Sequence, residues 1–231
     1  MKKDEIKAVI FDMDGLMFDT ERLTSSMWHK ICDLYGYDFT DEFWVSLTGS
    51  NNEAFKVAFI ERFGIDFDYD KKRAERWEIE ENYIEANGLP IKEGLYQLLK
   101  YLKNNQIKTA VATSRVEKKA LNWLKLANVE QYFDVKVFGD AVKNSKPEPD
   151  IFLKTIELLE VKADECIVLE DSFNGIIAAN RAKTKPIMVP DLRQPDQEIE
   201  KLLYAKCDSL NDVQRMLVLM KEEKLNCSQD G

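Results

Sequence analysis

Cysteines are scarce in this chain of 231 residues, which has only four of them. They stand far apart, at Cys32, Cys166, Cys207 and Cys227, and no two form a Cys-x-x-Cys pair. A small secreted domain that depends on disulfides needs a denser and more regular set. We therefore expect reduced thiols and a cytoplasmic protein, with Cys166 in the core at the start of an apolar strand.

Long apolar runs and an excess of positive charge are missing as well. The first apolar run is too short for a signal peptide or a membrane span. The formal net charge is −9, whereas a surface for nucleic acid or for anionic membranes needs basic patches. The basic run Lys71-Lys72-Arg73, with Arg76, is surrounded by glutamates and is expected to be a solvated helix face. We therefore expect neither nucleic-acid nor membrane partners.

Five short apolar runs predict the strands of a parallel sheet. They are almost continuously apolar rather than alternating, which is typical of strands covered on both faces. Amphipathic stretches with helical spacing separate the last four runs, so the order of elements predicts a doubly wound α/β fold. The runs are Ala8–Phe11, Thr109–Ala112, Val135–Phe138, Ile167–Leu169 and Ile187–Val189.

A long segment without a strand signal separates the first predicted strand from the helix that begins near Glu93. It contains a helical stripe that starts at Met27 and ends with Leu34 and Tyr35, then a phenylalanine stripe, then a charged helical stretch over residues 71–86. The sequence therefore predicts an α-helical module inserted directly after the first strand. The expected division is residues 18–89 for this module and residues 1–17 and 90–231 for the α/β core.

Chemically useful side chains follow four of the predicted strands. In α/β proteins the carboxyl ends of parallel strands meet at the edge of the sheet where ligands bind. Clustered carboxylates repel each other unless a cation intervenes, and Mg²⁺ prefers carboxylate and phosphate oxygens. The pattern therefore indicates a phosphate and Mg²⁺ site with a carboxylate free to act as nucleophile. The groups are Asp12 and Asp14, Thr113 and Ser114, Lys146, and Glu170 and Asp171.

Each group also has an ordinary structural interpretation. Asp14-Gly15 alone is typical of a turn, and Thr113-Ser114 before a helix is typical of an N-cap. Lys146-Pro147 could belong to a loop that leads into a helix with proline at its start, and Glu170-Asp171-Ser172 could begin another helix. The functional interpretation is favoured because all of these groups occur in order at successive strand ends.

Four ordered segments allow a more specific comparison: Asp12-Met13-Asp14-Gly15-Leu16-Met17-Phe18-Asp19-Thr20, Ala112-Thr113-Ser114, Lys146-Pro147-Glu148-Pro149-Asp150 and Leu169-Glu170-Asp171-Ser172-Phe173-Asn174-Gly175. Together they resemble the haloacid dehalogenase superfamily of phosphohydrolases, in its β-phosphoglucomutase-like branch. The resemblance extends over about residues 6–220. It implies that the inserted module is a helical cap over a Rossmann-like core.

The resemblance also implies a role for each group. Asp12 would be the nucleophile that becomes an aspartyl-phosphate. Asp14 would be the general acid and base, and its backbone carbonyl would also bind Mg²⁺. The substrate-binding residues would be Thr113, Ser114 and Lys146, and the metal ligands would be Asp12, Asp14, Glu170 and Asp171.

The choice between hydrolase and mutase depends on the cap. Mutases that resemble this chain carry a histidine four residues after the hinge threonine and an arginine in a cap loop that grips a second phosphate. Here those positions hold Thr24 and Asn52, and the only histidine, His29, is expected to be structural. We therefore favour a monomeric phosphatase that acts on a small phosphorylated metabolite such as a sugar phosphate. A β-phosphoglucomutase-like mutase remains the alternative.

Two other classes of protein are compatible with part of the pattern. A signalling receiver domain shares the doubly wound sheet, the clustered aspartates and Mg²⁺, but it gives no reason for a helical insertion. A catalytically idle scaffold is disfavoured because all the core groups are intact.

Some positions around the site have open roles. Asp19, Thr20 and Glu21 are placed at the predicted hinge, where closure of the cap would exclude water. Arg115 is expected to be an exposed charge at a helix start, with contact to a catalytic residue or to the substrate phosphate as the alternative. The run Ser50-Asn51-Asn52 is a candidate for contacts to sugar hydroxyls.

Overall fold

A computed structural model of the chain describes residues 5–48 and 52–229, with side chains as far as residue 223. Within these residues, six strands form one sheet in the order β3-β2-β1-β4-β5-β6. Every strand pair in the sheet is parallel, which confirms the predicted fold class. The strands are β1 Ala8–Phe11, β2 Lys108–Ala112, β3 Val135–Val137, β4 Cys166–Glu170, β5 Lys185–Met188 and β6 Ala205–Lys206.

The central strand shows why the apolar runs are continuous. Side chains alternate between the two faces of a strand, and every residue of β1 is buried. Val9 and Phe11 belong to one hydrophobic cluster, whereas Ala8 and Ile10 belong to another on the opposite face. Both faces of the sheet are therefore covered by helices, and each residue of the strand has to be apolar.

Six helices flank this sheet in the described part of the chain. The predicted leucine spacing is confirmed in α5, which buries Leu95, Leu98, Leu99 and Leu102 and packs with α10 on one face. On the other face, α7 packs against β2 and β3. These helices are α5 Leu95–Asn104, α6 Glu117–Leu126, α7 Asp150–Leu159, α8 Phe173–Arg181, α9 Gln197–Glu200 and α10 Leu210–Gln229.

The segment between β1 and α5 is helical, as its pattern predicts. It has its own hydrophobic cluster, in which Trp28, Phe59 and Tyr69 are buried together. The proposed domain boundaries remain a prediction. The helices are α1 Thr20–Tyr35, α2 Asp41–Leu47, α3 Asn52–Phe63 and α4 Tyr69–Asn87.

Two expectations for this helical segment are wrong. Leu34 and Tyr35 are 72% and 43% exposed, because α1 ends there and its last turn lies beyond the cluster. The basic run is not fully solvated, since Lys72 and Arg76 are buried on α4 together with Glu80. Arg76 pairs with Glu80 one turn away, so the two charges compensate each other inside the helix packing.

The strand β6 was not predicted, because two residues are too few to leave a pattern in the sequence. None of the helices in the described residues combines the length and the apolar character that crossing a bilayer requires.

Candidate active site

A cavity of about 400 Å³ opens at the carboxyl edge of the sheet, where β1 lies between β2 and β4. This is the place in a doubly wound sheet where the chain changes direction and ligands bind. The structure brings six of the seven candidate residues to its wall, and the seventh, Glu170, lies buried behind it. The six are Asp12, Asp14, Thr113, Ser114, Lys146 and Asp171.

The turn after β1 places two carboxylates beside each other. Asp12 continues the sheet, since its N–H donates to the carbonyl oxygen of Leu169 at 3.1 Å. Gly15 follows with φ +74°, and a Cβ built on it would overlap the Asp171 carboxylate. Glycine is needed here both for the left-handed backbone and for the close approach of Asp171.

Lys146 is the cation at the centre of the buried cluster. Its ammonium group donates to Asp12, to Glu170 Oε1 at 2.6 Å and to the carbonyl oxygen of Ala112 at 3.2 Å. Burial opposes the charge of Lys146, but the two carboxylates raise its pKa above the ordinary lysine value. Burial raises the pKa of Asp12 to about 7, although the attraction of Lys146 opposes this shift.

The cluster has more negative than positive groups and fits a divalent cation. Carboxylate oxygens of Asp12, Glu170 and Asp171 lie within 4.8 Å of one another. Burial, followed by repulsion from Glu170 and Asp12, raises the pKa of Asp171 well above its ordinary value. Three converging carboxylates, with a single lysine among them, form the hard oxygen set that Mg²⁺ prefers.

Asp14 is paired with Arg115 rather than with Lys146. The Arg115 Nε lies 2.7 Å from Oδ2 of Asp14, and its Nη2 lies 2.7 Å from Oδ1. Thr20 Oγ1 also donates to Asp14 Oδ1 at 2.8 Å. The guanidinium carbon of Arg115 lies 3.6 Å from the centre of the Trp123 ring. The expectation that Arg115 is an exposed charge is wrong, because an acidic partner and an aromatic face hold it in the site.

The structure also shows whether the polar residues at the strand ends serve as helix caps. Helix α6 begins after Val116, so Thr113 is not its N-cap; the Thr113 hydroxyl accepts the N–H of Arg115 at 3.2 Å. Ser172, rather than Asp171, caps α8 by accepting the N–H of Gly175 at 3.1 Å. Asp171 and Thr113 are therefore not required as helix caps.

Glu21 is a pocket residue to which the sequence assigned only a hinge position. It lies in the first turn of α1 and lines the cavity. Its Oε2 atom is buried and has no hydrogen-bond partner in the described part of the chain. Burial, together with the charges of Asp14 and Asp191, raises the pKa of Glu21 to about 8. No periodic signal in the sequence points to this burial.

The inserted helices also reach the pocket. Asn52 and Phe55 from α3 and Arg73 from α4 line it. The sequence did not indicate Arg73, because the basic run around it was interpreted as a solvated helix face. The lack of a cationic side chain in the cap was an argument against a mutase, and Arg73 removes the support for it. Ser50 and Asn51, the other candidates for sugar contacts, lie outside the described residues.

The two connections between the inserted helices and the sheet run side by side. The N–H of Asp19 donates to Pro90 O at 2.9 Å, and the N–H of Lys92 donates to Met17 O at 3.0 Å. The Lys92 ammonium group lies 2.7 Å from Oδ1 of Asp191, in the loop after β5. The backbone bonds join the two connections to each other, and the ion pair joins one of them to the loop after β5.

Comparisons with known proteins agree with this geometry. A family model for haloacid dehalogenase-like hydrolases matches residues 9–189. A phosphorylated carbohydrates phosphatase of Thermotoga maritima is 35% identical over 179 residues, which are 77% of this chain and 82% of the relative. A probable pseudouridine-5′-phosphatase of Drosophila melanogaster is 34% identical, over 80% of this chain and 81% of the relative.

Solved structures include a β-phosphoglucomutase from Clostridium difficile. It superposes with a TM-score of 0.72 at 28% identity, over 95% of this chain and 99% of its own. The likeness therefore includes the inserted helices as well as the sheet.

Proposed function

The chain belongs to the haloacid dehalogenase-like hydrolases and is a phosphoric monoester hydrolase, and from this premise we propose that it hydrolyses a small phosphate monoester, such as a sugar phosphate, in a Mg²⁺-dependent reaction through an aspartyl-phosphate. One observation carries the proposal. The Asp12 carboxylate lies on the pocket wall, bonded to the buried Lys146 and close to Glu170 and Asp171.

The first step forms a bond between a carboxylate oxygen of Asp12 and phosphorus and breaks the bond from phosphorus to the ester oxygen. Asp14 gives a proton to the departing oxygen. Thr113, Ser114 and Lys146 hold the phosphoryl oxygens, so that positioning and neutralisation of charge lower the barrier.

The second step regenerates the enzyme. Asp14 takes a proton from water, the water oxygen bonds to phosphorus, and the bond to Asp12 breaks to release phosphate. Asp12, the Asp14 backbone carbonyl, Glu170 and Asp171 are the groups that would hold Mg²⁺, which when bound supplies positive charge next to the phosphoryl oxygens.

Residues 18–89 act in this proposal as a cap over the pocket. The support is that Glu21, Asn52, Phe55 and Arg73 line the same cavity as the strand-end residues. Movement of these helices about the paired connections would admit substrate and then exclude water during the reaction.

A mutase is retained as the second candidate because of one observation. Arg73 lines the pocket from the cap side and could bind a second phosphate group. A mutase converts one sugar phosphate into its isomer and releases little phosphate, so analysis of the products separates the two functions.

The test is phosphate release from a panel of phosphorylated metabolites, with and without EDTA. We expect Asp12→Asn to lower turnover by a factor on the order of 10³ or more. The matched control is Asp33→Asn, which changes an exposed aspartate on α1. Full activity of Asp12→Asn would contradict the assignment of Asp12 as the nucleophile. Full activity in EDTA would contradict the requirement for Mg²⁺.

A further inference from the structure

A second cavity, of about 210 Å³, opens beside the catalytic pocket among the inserted helices. The two cavities share Asn52, Phe55 and Arg73 as lining residues, so they adjoin at these three side chains. Together they fall within the roughly 300–1,000 Å³ that is usual for small-molecule sites. We call the second cavity the cap annex; its other lining residues are Thr24, Trp28, Trp44, Tyr69, Arg76 and Trp77.

The walls of the cap annex are mostly aromatic. Trp28 and Tyr69 are stacked, with ring centres 5.8 Å apart and planes 20° from parallel. The rings of Trp44 and Phe55 lie 5.5 Å apart. With Trp77, these five rings come from all four inserted helices. Trp28, Trp44 and Tyr69 are almost fully buried, so Phe55 and Trp77 offer the accessible aromatic surface. Such surfaces stack well on a planar ring.

Two polar groups among the residues that line the cap annex are hydrogen-bond donors without acceptors. The indole N–H of Trp44 and the Nε–H of Arg76 are buried, and the described residues offer neither of them a partner. A buried donor without a partner is unfavourable. Both donors are covered in this structure, so an acceptor on a ligand would satisfy them only after the side chains that cover them move.

Arg73 stands at the junction of the two cavities. Its guanidinium lies 4.0 Å from the centre of the Trp77 ring, and no carboxylate of the described residues lies within ion-pair distance of it. The nearby acids Asp70 and Glu80 are paired elsewhere. A positive group at this place suits an electron-rich ligand that passes from the phosphate site into the annex.

We propose that the cap annex binds the planar, acceptor-bearing base of a nucleoside 5′-monophosphate. The phosphate lies at Asp12, the sugar lies at the junction beside Asn52 and Phe55, and the base lies between the aromatic walls. This inference rests on the proposed function, because the phosphate of the nucleotide has to lie in the catalytic pocket. It adds the chemical class of the leaving group, which is a nucleoside.

The kinetic test compares uridine 5′-monophosphate with ribose 5-phosphate, which lacks only the base. We expect kcat/KM to be at least tenfold higher for the nucleotide. Trp77→Ala should lower kcat/KM for the nucleotide about tenfold and change that for ribose 5-phosphate less than twofold. Tyr83→Ala, an exposed aromatic on the same helix that lines neither cavity, should change neither.

Equal rates for the two esters, or an equal loss on both in Trp77→Ala, would overturn the proposal. Hydrolysis of p-nitrophenyl phosphate without hydrolysis of the nucleotide would overturn it as well, while the proposed function stands. If none of the three esters is hydrolysed and the panel of metabolites releases no phosphate either, the proposed function fails, and direct binding then decides the annex.

Tryptophan fluorescence provides that direct readout. Three of the four tryptophans, Trp28, Trp44 and Trp77, line the annex. In Asp12→Asn protein, which should not turn over substrate, uridine 5′-monophosphate should quench the fluorescence saturably, and ribose 5-phosphate at the same concentration should not. The same response to both, or to neither, would show that the annex does not bind the base.

Discussion

Arg115 donates hydrogen bonds to both carboxylate oxygens of Asp14. Its Nε lies 2.7 Å from Oδ2, and its Nη2 lies 2.7 Å from Oδ1. The same guanidinium lies 3.9 Å from Glu80 on α4, and Glu80 pairs with Arg76. A chain of charges thus connects the proposed acid and base to the inserted helices. Both carboxylate oxygens of Asp14 are thereby held in one orientation at the wall of the pocket.

Arg115 is therefore expected to act as a positioning residue for Asp14. We expect Arg115→Ala to lower kcat/KM for a sugar phosphate about tenfold, because general acid catalysis contributes about 10²–10⁴-fold and depends on placement. For p-nitrophenyl phosphate, whose leaving group needs no proton, the loss should stay below threefold. Arg115→Lys should recover part of the activity, and the exposed Arg215→Ala is the control. Equal losses on both esters would contradict the role.

Asp14 itself should show its role through the phosphoenzyme. In Asp14→Asn the departure of the leaving group and the activation of water are both impaired, so turnover should fall by about 10²-fold or more. Mass spectrometry after mixing with a good leaving-group ester should detect an aspartyl-phosphate on Asp12 that persists longer than in the wild type. Unchanged turnover would refute the assignment.

Lys146 is expected to stabilise the fold as well as the substrate. In Lys146→Met, the buried carboxylates of Asp12 and Glu170 lose their cation, and the free energy of unfolding in EDTA should fall by about 3 kcal/mol. Urea denaturation measures this change. Lys201→Met breaks the exposed pair with Glu198 and should cost less than about 1 kcal/mol. Similar losses in the two variants would argue against a buried ion cluster.

Glu21 should make stability depend on pH. Burial and the neighbouring carboxylates raise its pKa to about 8, from an ordinary value of 4.5. The contribution of the protonated group is therefore fully present below about pH 4.5 and is lost as the pH rises through about 8. Between pH 5 and pH 9, wild type should lose at least about 1 kcal/mol relative to Glu21→Gln.

Urea denaturation in EDTA at several pH values measures this difference. The control is Glu85→Gln, which changes an exposed glutamate on α4 and should follow the wild type at each pH. A constant difference between wild type and Glu21→Gln would show that Glu21 is not buried in its protonated form.

The pattern of residues along the chain was enough to predict the sheet and the groups at its strand ends. Strands such as β1 are apolar on both faces, which leaves a continuous pattern, and parallel strands bring Asp12, Thr113 and Asp171 to one edge whatever the details of packing. The two-residue strand β6 was too short to leave such a pattern.

The burial of particular charged side chains, in contrast, follows from the three-dimensional packing. Arg115 meets Asp14 from 101 residues away, and Arg76 and Glu21 are enclosed by helices that no local pattern brings together. The burial of a charge depends on its partners in space, whereas a sequence pattern reports only neighbours along the chain. For the same reason the cap annex, which draws on four helices, appears only in the folded molecule.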